Sequence, residues 1–204
     1  MKKYAELNEN LVECISFHGH LCPGLVYGYR VAKEAAERLG VDKSSDEEVV
    51  AICENDSCSV DAFQIILGTT AGKGNLIVNN YGKNVYTVFS RNSGKALRFS
   101  RIFSYQYDGK HKEEFDKLEA ALQDKTASKK EIMRQKYLKA VDLAEKPFQK
   151  IFNSEALDFE PPPYAPLAPS APCVKCGELT MSTKMIKNSN GDLFCIPCDN
   201  EKDL

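Results

Sequence analysis

The chain has 204 residues, 43% hydrophobic and 27% charged, with a formal net charge of −2. That balance belongs to a self-supporting globular protein with room for one ordinary domain and a small appendage, and it offers no global attraction to nucleic acid or anionic lipid. There is no run of about 20 apolar residues to span a membrane, and the start lacks the apolar run and cleavage site of a signal peptide. The expectation is therefore a cytoplasmic protein.

Eight cysteines in a chain without an export signal point to metal or thiol chemistry rather than a disulfide framework. They fall into two sets: Cys14, Cys22, Cys53 and Cys58, then Cys173, Cys176, Cys195 and Cys198.

In chain order, residues 3–16 carry Leu7, Leu11, Val12 and Ile15 at helical spacing, with Cys14 in the same apolar pattern. This helix delivers the chain to Phe17-His18-Gly19-His20-Leu21-Cys22-Pro23-Gly24, which concentrates three metal-capable side chains. If the stretch is extended, His18, His20 and Cys22 point to one side; if helical, only His18 and Cys22 share a face. Pro23-Gly24 favours the extended or turn form. The run Leu25–Leu39 predicts a second helix, stopped by Gly40. Cys22 then sits at a helix N-terminus, where the dipole and free N–H groups favour the thiolate.

Val49–Cys53 predicts a buried strand ending at Asn55-Asp56, with Cys53 in the core, followed by a helix over residues 57–67. Cys58 opens that helix at a strand-to-helix crossing, a usual place for a functional side chain, and the same dipole acts on it. The loop Gly68-Thr69-Thr70-Ala71-Gly72-Lys73-Gly74 invites comparison with a phosphate-binding P-loop. The comparison fails, because the glycine spacing is one residue short, Gly74 stands where Ser or Thr should hold magnesium, and a helix rather than a strand precedes it. A flexible turn that lets backbone approach a ligand remains. Residues 76–79, 85–90 and 95–103 then predict an antiparallel meander.

From Ala62 through Tyr107 there is no Asp or Glu, yet Lys73, Lys83, Arg91, Lys95, Arg98 and Arg101 occur. The expectation is that some of these form an anion site near the thiols, for a small carboxylate or phosphate ligand, or an interface with an acidic partner. Residues 110–124 and 128–152 predict charged helices, the second opened by a Ser128/Glu131 capping box and kinked or ended by Pro147. His111 reads as a surface residue.

The proline-rich stretch 160–172 is an extended spacer. Beyond it, Cys173-Val174-Lys175-Cys176 and Cys195-Ile196-Pro197-Cys198 are two C-x-x-C pairs at the spacing of a structural Zn2+ site, which a segment this short needs in order to fold. Closed by four protein ligands, the site is expected to do no chemistry. Its lysines, Lys175, Lys184, Lys187 and Lys202, are offset by Glu178, Asp192, Asp199, Glu201 and Asp203, which speaks against nucleic acid and for a protein partner.

Taken together, Phe17 to Gly24, Cys58-Ser59-Val60-Asp61-Ala62-Phe63-Gln64, Gly68 to Leu76, Tyr81-Gly82-Lys83 and the C-terminal cysteine pairs resemble the FmdE family, named for a component of formylmethanofuran dehydrogenase. The resemblance implies a dimeric α+β core domain whose cleft is lined by the His/Cys motif, with a C-terminal zinc finger; it implies no settled reaction. Thr69 stands where the family pattern usually has a cysteine, leaving Cys22 and Cys58 as the remaining thiol pair.

The expected organisation is an α+β core domain over 1–158, with an antiparallel sheet and flanking helices, a linker over 159–172 and a four-cysteine zinc finger of ribbon or treble-clef type over 173–204. Three functional readings stand open. The first is a metal-binding protein with His18, His20, Cys22 and Cys58 around a zinc, nickel or iron ion. In that reading Cys22 and Cys58 are at the reacting centre, and Asp61 or Lys73 serves proton transfer. The second is a thiol redox or sulfur-carrier protein using Cys22 and Cys58, and the third a non-catalytic accessory subunit of a molybdenum or tungsten oxidoreductase.

Overall fold

A computed structural model describes residues 4, 6–102, 105–158 and 160–200. Lys3 and Ala5 of the expected first helix, Phe103 of the third meander strand, Phe159 at the linker start, and Glu201, Lys202 and Asp203 of the finger lie outside the described residues. The chain divides into two compact units, Met1–Pro162 and Pro163–Leu204.

In the first unit, helix α1 (Glu9–His18) starts later than the apolar pattern suggests, because the Asn8 side chain accepts from the Asn10 N–H at 3.1 Å and caps it there. It ends where Gly19 takes the left-handed conformation (φ 92°) and returns its N–H to the Ile15 carbonyl. His20 and Leu21 bridge to α2 (Pro23–Leu39), capped by Cys22, with proline in its first turn and a left-handed Gly40 closing it. Strand β1 (Val49–Cys53) follows as expected, then α3 (Ser59–Leu67), β2 (Leu76–Val78), β3 (Val85–Ser90), β4 (Lys95–Arg101), α4 (Lys112–Gln123), α5 (Lys129–Glu145) and β5 (Phe152–Leu157). The capping box of Ser128 and Glu131 forms.

The five strands lie in the order β2-β1-β3-β4-β5. This order corrects the expected meander, while the sheet is antiparallel at every pairing but that of β1 with β2. β3 and β4 form a hairpin, but β1 lies between β2 and β3, and β2 runs parallel to β1 with Ala51 opposite Leu76. A parallel neighbour requires a crossover, and α3 supplies it. The glycine-rich loop completes that crossover and is tied down by buried Asn75, whose amide donates to the Asp46 and Val49 carbonyls at 2.9 Å and whose oxygen accepts from the Thr70 N–H at 2.8 Å.

A second correction concerns residues 146–152, which do not extend the last helix. The chain leaves α5 at Pro147, makes a short 3-10 turn, and adds β5 as an edge strand antiparallel to β4. Only Phe152 of that strand is fully buried, so it lacks the alternation that would announce it.

One face of the sheet carries the main core, where Tyr86, Val88, Leu97 and Phe99 meet Leu11, Ile15, Leu25, Val31 and Phe63 from the helices. Val50, Phe89 and Ala96 form a smaller apolar cluster with Ile52, Ile77 and Leu157. The helix contact that matters most below is between α2 and α3. A Cβ built on Gly28 would lie 2.0 Å from the Ser59 carbonyl oxygen, so only glycine permits this approach.

Half of the one-signed run of basic residues is matched by carboxylates from outside it. Arg91 meets Glu47 at 3.7 Å, and Arg98 meets Glu155 at 3.1 Å and Glu54 at 3.8 Å; Glu54 also takes Lys83. Arg101 lies over the Tyr27 ring, 4.7 Å from its centroid. Lys73 donates to the Ser44 carbonyl at 3.0 Å. These contacts tie the sheet to its flanks and do not bring the cations to the thiols.

In the second unit, β6 (Ser170–Pro172) pairs antiparallel with β7 (Leu179–Met181), β8 (Met185–Lys187) with β9 (Leu193–Cys195), and α6 (Ile196–Asn200) follows directly. The last residues of the proline-rich stretch are thus strand β6 of this unit. Among the described residues no helix is long and apolar enough to cross a membrane.

Candidate metal centres

The turn between α1 and α2 gathers the first cluster. His18 is the last residue of α1, His20 lies in the bend after it, and Cys22 is the N-cap of α2, so one helix end, one bend and one helix start hold three donors across a four-residue step. His18, His20 and Cys22 each offer one ligand atom, and these lie within 4.8 Å of one another. The His18 Nε2 is 3.7 Å from Cys22 Sγ, and the two imidazole rings are 4.5 Å apart between centroids. Neither of the two regular geometries is followed. The first histidine is helical and the second lies in the bend that follows, where left-handed Gly19 folds one onto the other.

Helix α3 supplies the second layer. Asp61 Oδ2 lies 2.7 Å from His18 Nδ1, and the Gln64 amide donates to Asp61 Oδ1 at 3.2 Å. Cys58, at the N-cap of α3, makes no capping hydrogen bond with its side chain. Its thiol and that of Cys22 instead flank Gly24, where an added Cβ would meet Cys58 Sγ at 3.8 Å and Cys22 Sγ at 3.9 Å.

The electrostatics of Cys22 differ from the expectation of a lowered pKa. Burial pushes its thiol up, and the neighbouring Cys58 adds to that, while the hydrogen bond from the Leu25 N–H at 3.4 Å pulls down without prevailing. The thiol therefore holds its proton unless a cation displaces it. A bound ion is the kind of charge that does so, since a coordinating thiol is deprotonated outright. One soft thiol and two imidazoles suit zinc, nickel, iron or copper and leave a further position open.

The remaining predicted site residues are placed as follows. Lys73 is engaged by the Ser44 and Ser45 carbonyls. Thr69 is buried and donates to the Phe63 carbonyl at 3.2 Å. Cys14 and Cys53 are core residues whose thiols burial pushes up to about 12. His111 precedes α4 and sits 3.5 Å from Glu114. A cavity of about 600 Å3 is walled by Tyr105, Tyr107, Phe115, Glu119 and Lys139 and holds none of the His/Cys cluster. Gln64 escaped the reading of the residues as a group, although Cys58, Asp61 and Gln64 recur at helical spacing and so share a face of α3.

The second cluster is in the C-terminal unit. Cys173 and Cys176 lie in the turn between β6 and β7, Cys195 ends β9 and Cys198 lies in α6. The four sulfurs lie within 4.8 Å of one another, with Cys176 and Cys195 at 3.9 Å. Four thiolates bound at about 2.3 Å around a tetrahedral ion would be roughly 3.8 Å apart. Without an ion the thiols share protons unequally. Backbone N–H groups of Cys176 and Cys195 bring Cys173 down to about 6, while the Cys195 side chain pushes Cys198 up to about 12.

The chain is 29% identical over 205 residues to a probable S-adenosyl-L-methionine-binding protein of Archaeoglobus fulgidus, a match covering 95% of this chain and 53% of the relative. The chain thus spans about half the length of that curated relative. The fold is shared with a tungsten formylmethanofuran dehydrogenase FmdE-like protein from Syntrophus aciditrophicus, known from a crystal structure at 1.90 Å resolution. The TM-score is 0.58, with 20% identity and coverage of 95% of this chain and 92% of that one. A family model described as FmdE, molybdenum formylmethanofuran dehydrogenase operon, matches residues 17–155, from the histidine-cysteine turn to edge strand β5. On the extent of that match, the chain belongs to the FmdE family.

Proposed function

We propose that the protein binds a transition-metal ion at His18, His20 and Cys22, with Cys58, across Gly24 from Cys22, as a further thiol donor, and a structural zinc ion at Cys173, Cys176, Cys195 and Cys198. The observation that carries the core site is the convergence of three donor atoms within 4.8 Å on a turn whose first histidine is already oriented by a carboxylate. Three ligands with an open position characterise sites that catalyse or pass on their metal, and four characterise closed structural ones. The core and terminal clusters fall on opposite sides of that division.

Elemental analysis of full-length protein purified anaerobically is the test. About two metal ions per chain are expected for the wild type and about one for the His20→Ala/Cys22→Ser variant. One ion in both would confine metal to the C-terminal cluster and refute the core site.

The position of the Cys22 and Cys58 thiols on either side of Gly24, each within 3.9 Å of the point where a Cβ would sit, supports a second reading, a thiol pair that acts without metal in redox or sulfur transfer. Thiol titration showing a reversible two-electron disulfide between these two residues, in protein that binds no core metal, would select it. A cytoplasmic location, a homodimer and a protein partner at the finger complete the proposal. An accessory role beside a molybdenum or tungsten enzyme draws support from the family's description. The S-adenosyl-L-methionine named for the Archaeoglobus relative is a candidate ligand to test alongside.

A further inference from the structure

We infer that Asp61 is the positioning residue of the core site, and that it locks His18 in the tautomer whose Nε2 lone pair faces the donor cluster. The inference rests on the metal reading above for its consequence and on local geometry for its substance. A carboxylate can only accept, so the 2.7 Å contact makes Nδ1 of His18 the donor. Nε2 is then unprotonated in the neutral ring, and this atom is the one aimed toward Cys22 Sγ, 3.7 Å away. The opposite tautomer would aim an N–H at the position a metal ion must occupy and would leave Nδ1 with no hydrogen to give Asp61. Carboxylate partners of metal-binding histidines have this role generally, and their loss costs about 10- to 100-fold in metal affinity.

Two further features show that the arrangement is built. His18 is 12% exposed at its side chain, so water competes poorly for Nδ1. Gln64 donates to the other Asp61 oxygen at 3.2 Å, fixing the plane of the carboxylate. Helix α3 therefore presents a thiol, a carboxylate and an amide at successive turns, and the carboxylate reaches a histidine on a different helix. The role is distinct from proton transfer at the reacting centre. Asp61 acts through His18 and need not touch a substrate.

The test uses full-length protein with the C-terminal cluster already loaded with zinc, and Co2+ as probe of the core site. Thiolate-to-cobalt charge transfer reports Cys22 ligation. Asp61→Ala is expected to weaken Co2+ binding by about 10- to 100-fold. Asp61→Asn, whose amide oxygen still accepts from Nδ1, should weaken it less, and Gln64→Ala should change it by only a few-fold.

In metal-free protein, 15N-detected imidazole spectra should show neutral His18 as the Nδ1–H form in the wild type and in Asp61→Asn, and a tautomer mixture in Asp61→Ala. Wild-type Co2+ affinity in both Asp61 variants, or an Nε2–H tautomer in the wild type, would overturn the inference. A wild type that takes up no Co2+ would refute the metal reading instead. The tautomer spectra would still decide the role of Asp61.

Discussion

Replacing Gly28 by alanine should disturb the core site from a distance. The new Cβ would lie 2.0 Å from the Ser59 carbonyl oxygen and 2.7 Å from the Ser59 Cα, so α2 and α3 must separate by about 1 Å or more to restore contact. Overpacking costs about 1–3 kcal/mol, and a 2.0 Å approach to backbone, which cannot swing aside, belongs at about 2–3 kcal/mol; helix propensity returns about 1 kcal/mol, because Gly28 lies inside a helix, and leaves a net loss of about 1–2 kcal/mol. At about 2–4 °C per kcal/mol for a chain of this length, Tm should fall by roughly 2–8 °C. Because α3 also carries Asp61, a displacement of about 1 Å would lengthen the 2.7 Å bond to His18 beyond hydrogen-bonding range, and core-metal affinity should fall with it.

Gly24→Ala is the control. Its Cβ would sit 3.1 Å from Cys58 Cβ, tight but relieved by a few tenths of an ångström, so Tm should change by no more than about 2 °C, within the propensity gain. Differential scanning calorimetry with Co2+ titration of each variant reads both effects. A Gly28→Ala protein as stable as the wild type, or a Gly24→Ala protein equally damaged, would refute the claim that backbone proximity at Ser59 fixes α3.

The buried Tyr27 hydroxyl has no hydrogen-bond partner among the described residues, so Tyr27→Phe should be neutral or stabilising by up to about 1 kcal/mol in urea denaturation, and a loss above about 1 kcal/mol would reveal a hidden partner. Lys146 is almost wholly buried, 3.3 Å from Asp142, and also paired with Asp108. Lys146→Ala should therefore cost about 3–5 kcal/mol by stranding the Asp142 carboxylate, and a Lys146→Met/Asp142→Asn double variant should recover much of it. Glu48 is held down to about 2 by hydroxyls of Ser44 and Ser45 and the Asp46 N–H. Its folded pKa is below the unfolded value, so its carboxylate contributes stability above about pH 4.5 that is lost as pH falls toward 2. The difference in urea midpoint between wild type and Glu48→Gln should shrink across that interval, and a constant difference would count against it.

Local chemistry was legible in the sequence. Gly40, Pro23 and the Ser128/Glu131 pair announce their helix ends, and Val49–Cys53 is apolar enough to name itself a strand. What stayed hidden is decided by partners far away in the chain. β2 is three residues long, and nothing in it says that β1 rather than β3 will pair with it. β5 is exposed along most of its length, and its Phe148–Ile151 approach mimics the end of a helix. The basic residues of the sheet looked uncompensated because Glu47, Glu54 and Glu155 approach them only in the fold. At the core site, His18, His20 and Cys22 drew notice by density alone. The bond from Asp61 to His18 spans 43 positions and had no local signature. The direction of the Cys22 shift was missed because a helix start predicts lowering, whereas burial, which only the packing reveals, acts the other way.

The close seating of α3 against Gly28 also bears on how the two clusters would exchange an ion with their surroundings. Among the described residues of the C-terminal unit little besides the cysteines, Met185 and Phe194 is packed together, so on the proposed zinc reading losing the ion there would mean losing the fold, and replacement would wait on refolding. The turn at His18 is propped by the main apolar core. If it binds an ion as proposed, it would empty and refill as a rigid receptor, at a rate set by ligand exchange and by access past exposed His20. In a cell short of metal, the two sites would then run down on different clocks, the core reversibly and the finger by way of unfolding and proteolysis.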